Sequence, residues 1–183
     1  MMMNETAAAS CKENNVTGVL ITEQEIKDKI AEYAAIIDRE YEGKPLIVVS
    51  ILNGAFVFCA DLCRALTIPC EIGFMAARSY SGTESTGNVE IVLDLKQDIS
   101  NYHVLIAEDI IDSGRTLSEV SKMLKARNPL SFKVITLLDK PSRRAVDFKA
   151  DYTLFTIPDR FIVGYGLDYN EQYRGLPYIG VID

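Results

Sequence analysis

The sequence predicts an α/β fold in which helices flank a central, mainly parallel sheet. Between residues 46 and 138, short apolar runs typical of buried strands alternate with segments whose apolar residues recur at helical spacing. This alternation favours parallel strands joined by right-handed helical crossovers. With 183 residues and 48% apolar content, the chain can bury one sizeable core. We therefore expect a single domain over residues 18–183.

The elements can be assigned in chain order. A capping-box pattern, Thr22 with Glu25, starts a helix that continues to about Tyr41, and the small, polar residues 1–17 before it are expected to form a poorly ordered tail. Strands are predicted at 46–51, 70–76, 89–95, 104–107, 132–138, 151–157 and 178–182, with helices at 55–66 and after residue 116. The polar, glycine-containing segment 78–88 predicts a long loop of the kind that often forms a lid.

Composition argues against several classes of function. The formal net charge of −7 and the pI near 4.8 disfavour a nucleic-acid surface. The four cysteines have no zinc-ligand partners at suitable spacing, because His103 is the single histidine, so reduced thiols are expected. The N-terminus lacks the apolar segment of a signal peptide, and no apolar run reaches membrane length. These observations predict a cytoplasmic protein that does not act on membranes.

The segment 104–118 is the most informative part of the chain. A buried-strand pattern ends at two adjacent carboxylates, Glu108 and Asp109, and a run of small polar residues, 112–116, precedes the next helix. Backbone N–H groups, hydroxyls and a helix N-terminus suit a phosphate. Asp112 or Ser113 could instead cap that helix, but capping gives no reason for two like charges side by side. A ligand carrying both hydroxyls and phosphates explains the whole pattern.

This segment closely resembles the 5-phosphoribosyl-1-pyrophosphate (PRPP) signature of the type I phosphoribosyltransferases. Residues 45–183 are also similar to the hypoxanthine-guanine phosphoribosyltransferases, especially their short bacterial members, with matching segments at 60–62, 78–80, 137–144 and 157–169. The resemblance implies the type I phosphoribosyltransferase fold, with a small hood region and a flexible lid loop. It also implies conversion of hypoxanthine, with guanine as a further substrate, to the nucleotide, and assembly as a homodimer or homotetramer.

The resemblance assigns the PRPP end of the site. Glu108 and Asp109 would hold the ribose hydroxyls, and Asp112 would act as general base or acid at purine N7, with helix capping as its alternative role. The residues that would wrap the 5′-phosphate are Ser113, Gly114, Arg115 and Thr116.

The resemblance also assigns the purine end. Lys140 would donate to the exocyclic O6 of a 6-oxopurine and repel a 6-amino group, which disfavours adenine. Phe161 would stack on the purine, and the backbone of Ile162 would bind the purine edge. As alternatives, Lys140 could be a solvated surface lysine, and Phe161 could be a packed core aromatic.

Metal, pyrophosphate and lid residues complete the implied site. Asp168 and Glu108 would bind Mg²⁺, which PRPP needs because a polyanion otherwise faces carboxylates. Arg174 would contact pyrophosphate together with the loop Asn53-Gly54, and Ser79-Tyr80 would form the lid that excludes water. Many relatives carry lysine or arginine where Asn53 stands, which weakens the expected grip on pyrophosphate. The same loop often contains a non-proline cis peptide, here Leu52–Asn53.

Two other functions remain open at this point. A PRPP-binding regulatory module without catalysis would keep the phosphate segment, yet it could dispense with Asp112, Lys140, Phe161 and the Ser79-Tyr80 dipeptide, all of which are present. A xanthine-preferring phosphoribosyltransferase is the closer rival, because the sequence does not rank the 6-oxopurines.

Overall fold

The computed structural model describes residues 15–79 and 89–182. Most of the predicted tail and Tyr80 of the predicted lid lie outside the described residues. The elements are β1 (Gly18–Ile21), α1 (Glu23–Tyr41), β2 (Leu46–Leu52), α2 (Phe56–Ala65), β3 (Cys70–Ser79), β4 (Val89–Leu93), β5 (His103–Ile111), α3 (Arg115–Lys125), β6 (Ser131–Asp139), a short 3₁₀ helix (Pro141–Arg143), β7 (Tyr152–Thr156), β8 (Ile162–Val163) and β9 (Ile179–Val181).

The main sheet has six strands in the order β4-β3-β2-β5-β6-β7. All neighbouring strands run parallel except β4, which pairs antiparallel with β3. The predicted α/β class with a mainly parallel sheet is therefore confirmed. In a parallel sheet the strand carboxyl ends meet at one edge, so residues that follow β2, β5 and β6 come together there.

Helices cover both faces of this sheet and create two apolar cores. On one face α1 and α2 bury residues such as Ile30, Phe58 and Leu62 against the strands. On the other face α3 buries Leu117 and Val120. Because β2 and β5 are buried on both sides, their continuous apolar sequences follow directly from their central place in the sheet.

A second, three-stranded antiparallel sheet has the order β1-β9-β8 and forms the small hood region. Strand β1 was not predicted, because four residues are too few to show a hydrophobic period. Residues 15–17, placed in the tail by the sequence, belong to the described structure, and the Thr17 N–H donates to the Val181 carbonyl at 2.8 Å.

Two predicted boundaries also differ from the structure. The strand predicted to end at Ala107 continues as β5 through the acidic pair to Ile111. Arg78 and Ser79 were placed in a loop, but they continue β3 and pair with Glu90 and Val89 of β4. The antiparallel partner supplies backbone hydrogen bonds that a sequence pattern does not reveal. Among the described residues, no helix is both long enough and apolar enough to cross a bilayer.

Candidate active site

Two adjoining clefts open at the carboxyl edge of the main sheet. The first has a volume of about 260 Å³ and lies between the end of β2 and the β5–α3 loop. The second, of about 380 Å³, extends toward the hood, and both clefts are lined by Gly54, Asp109 and Ile110. The predicted residues that line the first cleft are Glu108, Asp109, Asp112, Ser113, Gly114 and Thr116. Those that line the second are Asn53, Gly54, Asp109, Lys140, Phe161, Ile162, Asp168 and Arg174.

The acidic pair lies at the wall between the clefts. Asp109 is 8% exposed, and the Ile110 N–H donates to its Oδ1 atom at 2.8 Å. Burial, reinforced by the adjacent Asp109 charge, raises the pKa of Glu108 well above its usual range. Burial also raises the pKa of Asp109, although hydrogen bonds and the charge of Arg174 oppose that rise. Two adjacent carboxylates are suited to a ligand whose hydroxyl groups donate hydrogen bonds.

The loop before α3 is the segment in which the sequence predicts a phosphate cradle. Gly114, with a φ of +78°, is the N-cap of α3, and this cap has no side-chain hydrogen bond. Asp112 does not cap the helix because the chain enters it through a left-handed glycine, and Asp112 instead lines the first cleft. In contrast, Ser113 Oγ accepts a hydrogen bond from the Arg115 N–H at 3.4 Å, as the capping alternative expects for that residue. Arg115, the first residue of α3, is exposed and lies outside the residues that line the clefts.

Arg144 binds this loop by a hydrogen bond and was not identified as a site residue from the sequence. Its Nη1 donates to the Asp112 carbonyl at 3.1 Å, and its Nη2 pairs with the Asp139 carboxylate. The side chain also covers Gly114, since an added Cβ there would lie 3.2 Å from two Arg144 atoms. The matching segment 137–144 contained the residue, but its contact with Asp112 exists only in the folded chain.

The loop between β2 and α2 packs directly on the acidic pair. Its Leu52–Asn53 peptide is cis, which confirms the expectation from the sequence. A Cβ on Gly54 would lie 1.6 Å from Asp109 Oδ2, and a Cβ on Gly166 would lie 2.0 Å from the Gly54 carbonyl oxygen. Glycines at both positions allow the Gly54 backbone to lie close to the Asp109 carboxylate and to the Gly166 backbone.

Lys140 is buried, with 7% of the residue exposed, so the alternative of a solvated surface lysine is wrong. Its Nζ donates to the Arg160 carbonyl at 2.8 Å and lies 3.9 Å from Asp159 Oδ1. Its backbone N–H donates to the Ile111 carbonyl at 3.0 Å, which joins Lys140 to the strand that carries the acidic pair. A buried ammonium at a cleft wall is suited to an acceptor atom on a ligand.

Phe161 presents an open ring to the second cleft. It is 52% exposed, and its edge-to-face contact with Tyr169 has a centroid distance of 5.4 Å. The core-aromatic alternative is therefore wrong for most of the ring. Ile162 follows in β8, where it pairs with Val181 of β9, so the hood sheet fixes the backbone beside Phe161.

Arg174 and Asp168 lie together at the far wall of the second cleft. Arg174 Nη2 is 2.9 Å from Asp168 Oδ1, and its Nη1 donates to the Gly166 carbonyl at 2.8 Å. The Glu171 N–H donates to the other Asp168 oxygen at 2.9 Å. Within residues 15–79 and 89–182, no three or more His, Cys, Asp or Glu side chains form a group that could hold a metal. A metal here would need ligands from a bound substrate as well.

Comparisons with known proteins agree with this geometry. The phosphoribosyl transferase domain model matches residues 20–170. The chain is 50% identical to the hypoxanthine phosphoribosyltransferase of Salmonella typhimurium, over 90% of this chain and 94% of that protein. It is 46% identical to the hypoxanthine-guanine phosphoribosyltransferase of Staphylococcus aureus, over 92% and 95%. A crystal structure of a hypoxanthine phosphoribosyltransferase from Staphylococcus aureus has a TM-score of 0.90 and 44% identity, and the match covers 100% of this chain and 97% of that one.

Proposed function

Because the chain belongs to the hypoxanthine-guanine phosphoribosyltransferases of the phosphoribosyl transferase domain family, we propose that it converts hypoxanthine and PRPP to IMP and pyrophosphate. Guanine is the proposed second substrate, which yields GMP. The observation that carries this proposal is the pair of clefts that share Gly54 and Asp109. One cleft suits a phosphorylated ribose, the other suits a flat base, and the shared wall brings the two reacting groups together.

In the proposed complex, PRPP occupies the first cleft. The Glu108 and Asp109 carboxylates accept hydrogen bonds from the ribose 2′- and 3′-hydroxyls. The 5′-phosphate binds in the loop formed by Ser113 and Gly114, at the N-terminus of α3, which has no acidic residue in its first turn. Arg115 and Thr116 complete this binding loop. Pyrophosphate lies toward Arg174 and the backbone of Asn53 and Gly54.

The proposed reaction forms the bond between purine N9 and ribose C1′ and breaks the bond between C1′ and the pyrophosphate oxygen. Asp112 accepts the proton that the purine loses at N7. Its position in the first cleft, on the loop immediately before the phosphate cradle, supports this role. A carboxylate is a weak base at neutral pH, so the proton is shared with N7 as positive charge develops on the purine.

Two residues select the base in this proposal. The buried Lys140 ammonium donates to O6 of a 6-oxopurine and cannot accept a hydrogen bond from the 6-amino group of adenine. The exposed face of Phe161 stacks on the purine ring, and the Ile162 backbone binds the purine edge. These features favour the enzyme over a PRPP-binding regulatory module, which would need neither residue.

The donor set of the clefts fits Mg²⁺ that arrives with PRPP. Burial and the adjacent Asp109 charge raise the pKa of Glu108, and a divalent cation beside these two carboxylates would favour their charged forms. Glu108 and Asp168 would supply protein oxygens, and the small number of carboxylates agrees with the preference of Mg²⁺ for substrate and water ligands. Bound Mg²⁺ would supply positive charge that offsets the negative charge of the pyrophosphate. Arg174, which pairs with Asp168, would direct N–H groups at the edge of its guanidinium toward that product.

We propose that Ser79 and Tyr80 belong to a lid over these clefts. Ser79 ends β3 and pairs with Val89 at the start of β4, so the segment between them connects neighbouring strand ends. A closed lid would keep water away from the cationic ribosyl centre.

We also propose a cytoplasmic homodimer or homotetramer. Exposed apolar residues occur at the start of α2 and along β3 and its partner strand β4, and they are Phe56, Ile72, Phe74, Val92 and Leu93. Large apolar side chains exposed on neighbouring elements support a protein interface there. The negative net charge disfavours nucleic acid as the partner. Light scattering of the purified protein would test the assembly, and a monomer at micromolar concentration would contradict it.

A base screen tests the proposed activity. Hypoxanthine, guanine, xanthine and adenine are each incubated with PRPP and Mg²⁺, and nucleotide formation is followed by absorbance. We expect turnover with hypoxanthine and guanine and none with adenine. Turnover mainly with xanthine would favour the rival specificity, and PRPP binding without any turnover would favour a regulatory module.

A further inference from the structure

Tyr165 connects the segment that carries Asp168 and Arg174 to α2. The residue is 4% exposed, and its hydroxyl donates to the Asp61 carboxylate in the middle of α2. Burial and the nearby Asp61 charge raise the pKa of the Tyr165 hydroxyl, so it remains a proton donor at any working pH. The second Asp61 oxygen pairs with Arg64, which is exposed. Neither Tyr165 nor Asp61 lines either cleft.

The backbone on both sides of Tyr165 holds groups that form the pyrophosphate end. Its N–H donates to the Leu176 carbonyl at 2.8 Å. Its neighbour Gly166 exchanges two hydrogen bonds with Arg174: the Gly166 N–H donates to the Arg174 carbonyl at 2.9 Å, and the Arg174 Nη1 donates to the Gly166 carbonyl at 2.8 Å. Gly166 also touches the Gly54 backbone.

The Tyr165 backbone lies in the left-handed region, with a φ of +50°. A bulky residue rarely adopts this conformation without support from its surroundings. The buried ring and its hydrogen bond to α2 give that support. Helix α2 follows directly after the loop that contains Asn53 and Gly54, so Asp61 and Gly54 lie on the same short stretch of chain.

We propose that Tyr165 and Asp61 are positioning residues that hold Arg174 and Asp168 at a fixed distance from the Gly54 loop, and so set the affinity for the pyrophosphate end of PRPP. The inference rests on the proposed function of the clefts. The physical reason is preorganisation: a loop that is already in its bound geometry loses less conformational entropy when the ligand binds. The hypoxanthine subsite, formed by Lys140 and Phe161, is held by other contacts.

The test compares two Tyr→Phe variants. Tyr165→Phe removes the hydroxyl bound to Asp61, whereas Tyr33→Phe removes a hydroxyl that donates to the Thr153 carbonyl at 2.7 Å, where α1 packs on β7. Each variant loses one hydrogen bond and keeps its ring. For Tyr165→Phe we expect the KM for PRPP to rise about tenfold, which is the change in affinity that the loss of one hydrogen bond to a charged acceptor produces. The KM for hypoxanthine should stay within about twofold of wild type. For Tyr33→Phe we expect both KM values to stay unchanged.

Direct titration of PRPP in the presence of Mg²⁺ gives a readout independent of turnover. The dissociation constant for PRPP should rise in Tyr165→Phe and in Asp61→Ala. In the double variant it should rise no further than in either single variant, because both substitutions remove the same contact. Asp61→Asn, which keeps an acceptor oxygen, should recover most of the affinity.

Three results would overturn the inference: unchanged PRPP affinity in Tyr165→Phe despite a lower melting temperature, an equal loss in Tyr33→Phe, or fully additive effects in the double variant. A wild-type protein that binds PRPP but forms no nucleotide would contradict the proposed function instead, and the titrations would still decide the role of Tyr165.

Discussion

Replacing Gly54 with alanine tests how closely the pyrophosphate loop packs on the acidic pair. The new Cβ would lie 1.6 Å from Asp109 Oδ2, whereas ordinary contact begins at 3.4 Å, so one of the two groups must move by about 1.8 Å. Gly54 does not have a positive φ, so the alanine backbone itself adds little strain. Overpacking of this kind costs about 1–3 kcal/mol of stability. A displacement of about 1 Å at a reacting group can reduce turnover about 10²-fold.

We therefore expect Gly54→Ala to remain folded but to lose about 10²-fold or more in kcat/KM for PRPP. The assay is steady-state IMP formation, with circular dichroism and thermal unfolding to verify the fold. Gly18→Ala is the matched control, because a Cβ at Gly18 meets nothing within 4 Å and this residue lies in β1 away from the clefts. Wild-type kinetics in Gly54→Ala would refute the proposed contact between the loop and Asp109.

Four further substitutions address the remaining residues of the site. Asp112→Asn should remove most turnover while Mg²⁺-dependent PRPP binding stays measurable by titration, because only the proton acceptor is lost. Lys140→Ala should raise the KM for hypoxanthine about 10- to 100-fold and leave the KM for PRPP nearly unchanged, since a charge-assisted hydrogen bond to O6 disappears. Arg144→Lys should lower kcat about tenfold, because one ammonium cannot bridge Asp139 and the Asp112 carbonyl as the guanidinium does. Glu108→Gln should raise the melting temperature at pH 8, and this gain should shrink toward pH 5.

The sign of the Glu108 effect follows from its raised pKa. Between the unfolded and the folded pKa values, the folded protein binds more protons than the unfolded chain, so rising pH lowers the free energy of unfolding. Because glutamine does not titrate, Glu108→Gln should not lose free energy of unfolding in this way as the pH rises. A melting temperature of Glu108→Gln below wild type at pH 8 would contradict the repulsion between the two carboxylates.

The outcomes that would contradict the other three predictions are equally specific. Full activity in Asp112→Asn would show that Asp112 has no acid-base role. An unchanged KM for hypoxanthine in Lys140→Ala would show that Lys140 does not select the base. In Arg144→Lys, a wild-type kcat would show that the charge alone suffices and that the bridge to Asp112 does not matter.

The parallel sheet and the acidic loop could be predicted because their signals are local. The apolar run before Glu108, the small residues at 112–116 and the helical pattern after them lie within one stretch of sequence. The structure adds contacts between residues far apart in the chain. Tyr165 and Asp61 are separated by 104 positions, and Arg144 reaches Asp112 across 32. No local period encodes such pairs, because each residue alone has an ordinary sequence environment.

Burial was the other quantity that the sequence left open. Composition alone allows Lys140 to be a surface lysine, whereas in the fold the residue is 7% exposed and its Nζ donates to the Arg160 carbonyl. Likewise β1 had no recognisable pattern, because its pairing with β9 at the other end of the chain, rather than its own sequence, makes it a strand.

That pairing has a consequence for the order in which the protein matures during synthesis. Strand β9 lies between β1 and β8, so the earliest strand and the backbone at Ile162 both depend on residues 179–181. Strands β2, β3 and β5, helix α3 and Arg144, which together carry and support the proposed phosphate loop, are synthesised before residues 179–181. A nascent chain should therefore acquire its phosphate-binding half first. It should gain the ability to hold a base only after its last strand has left the ribosome.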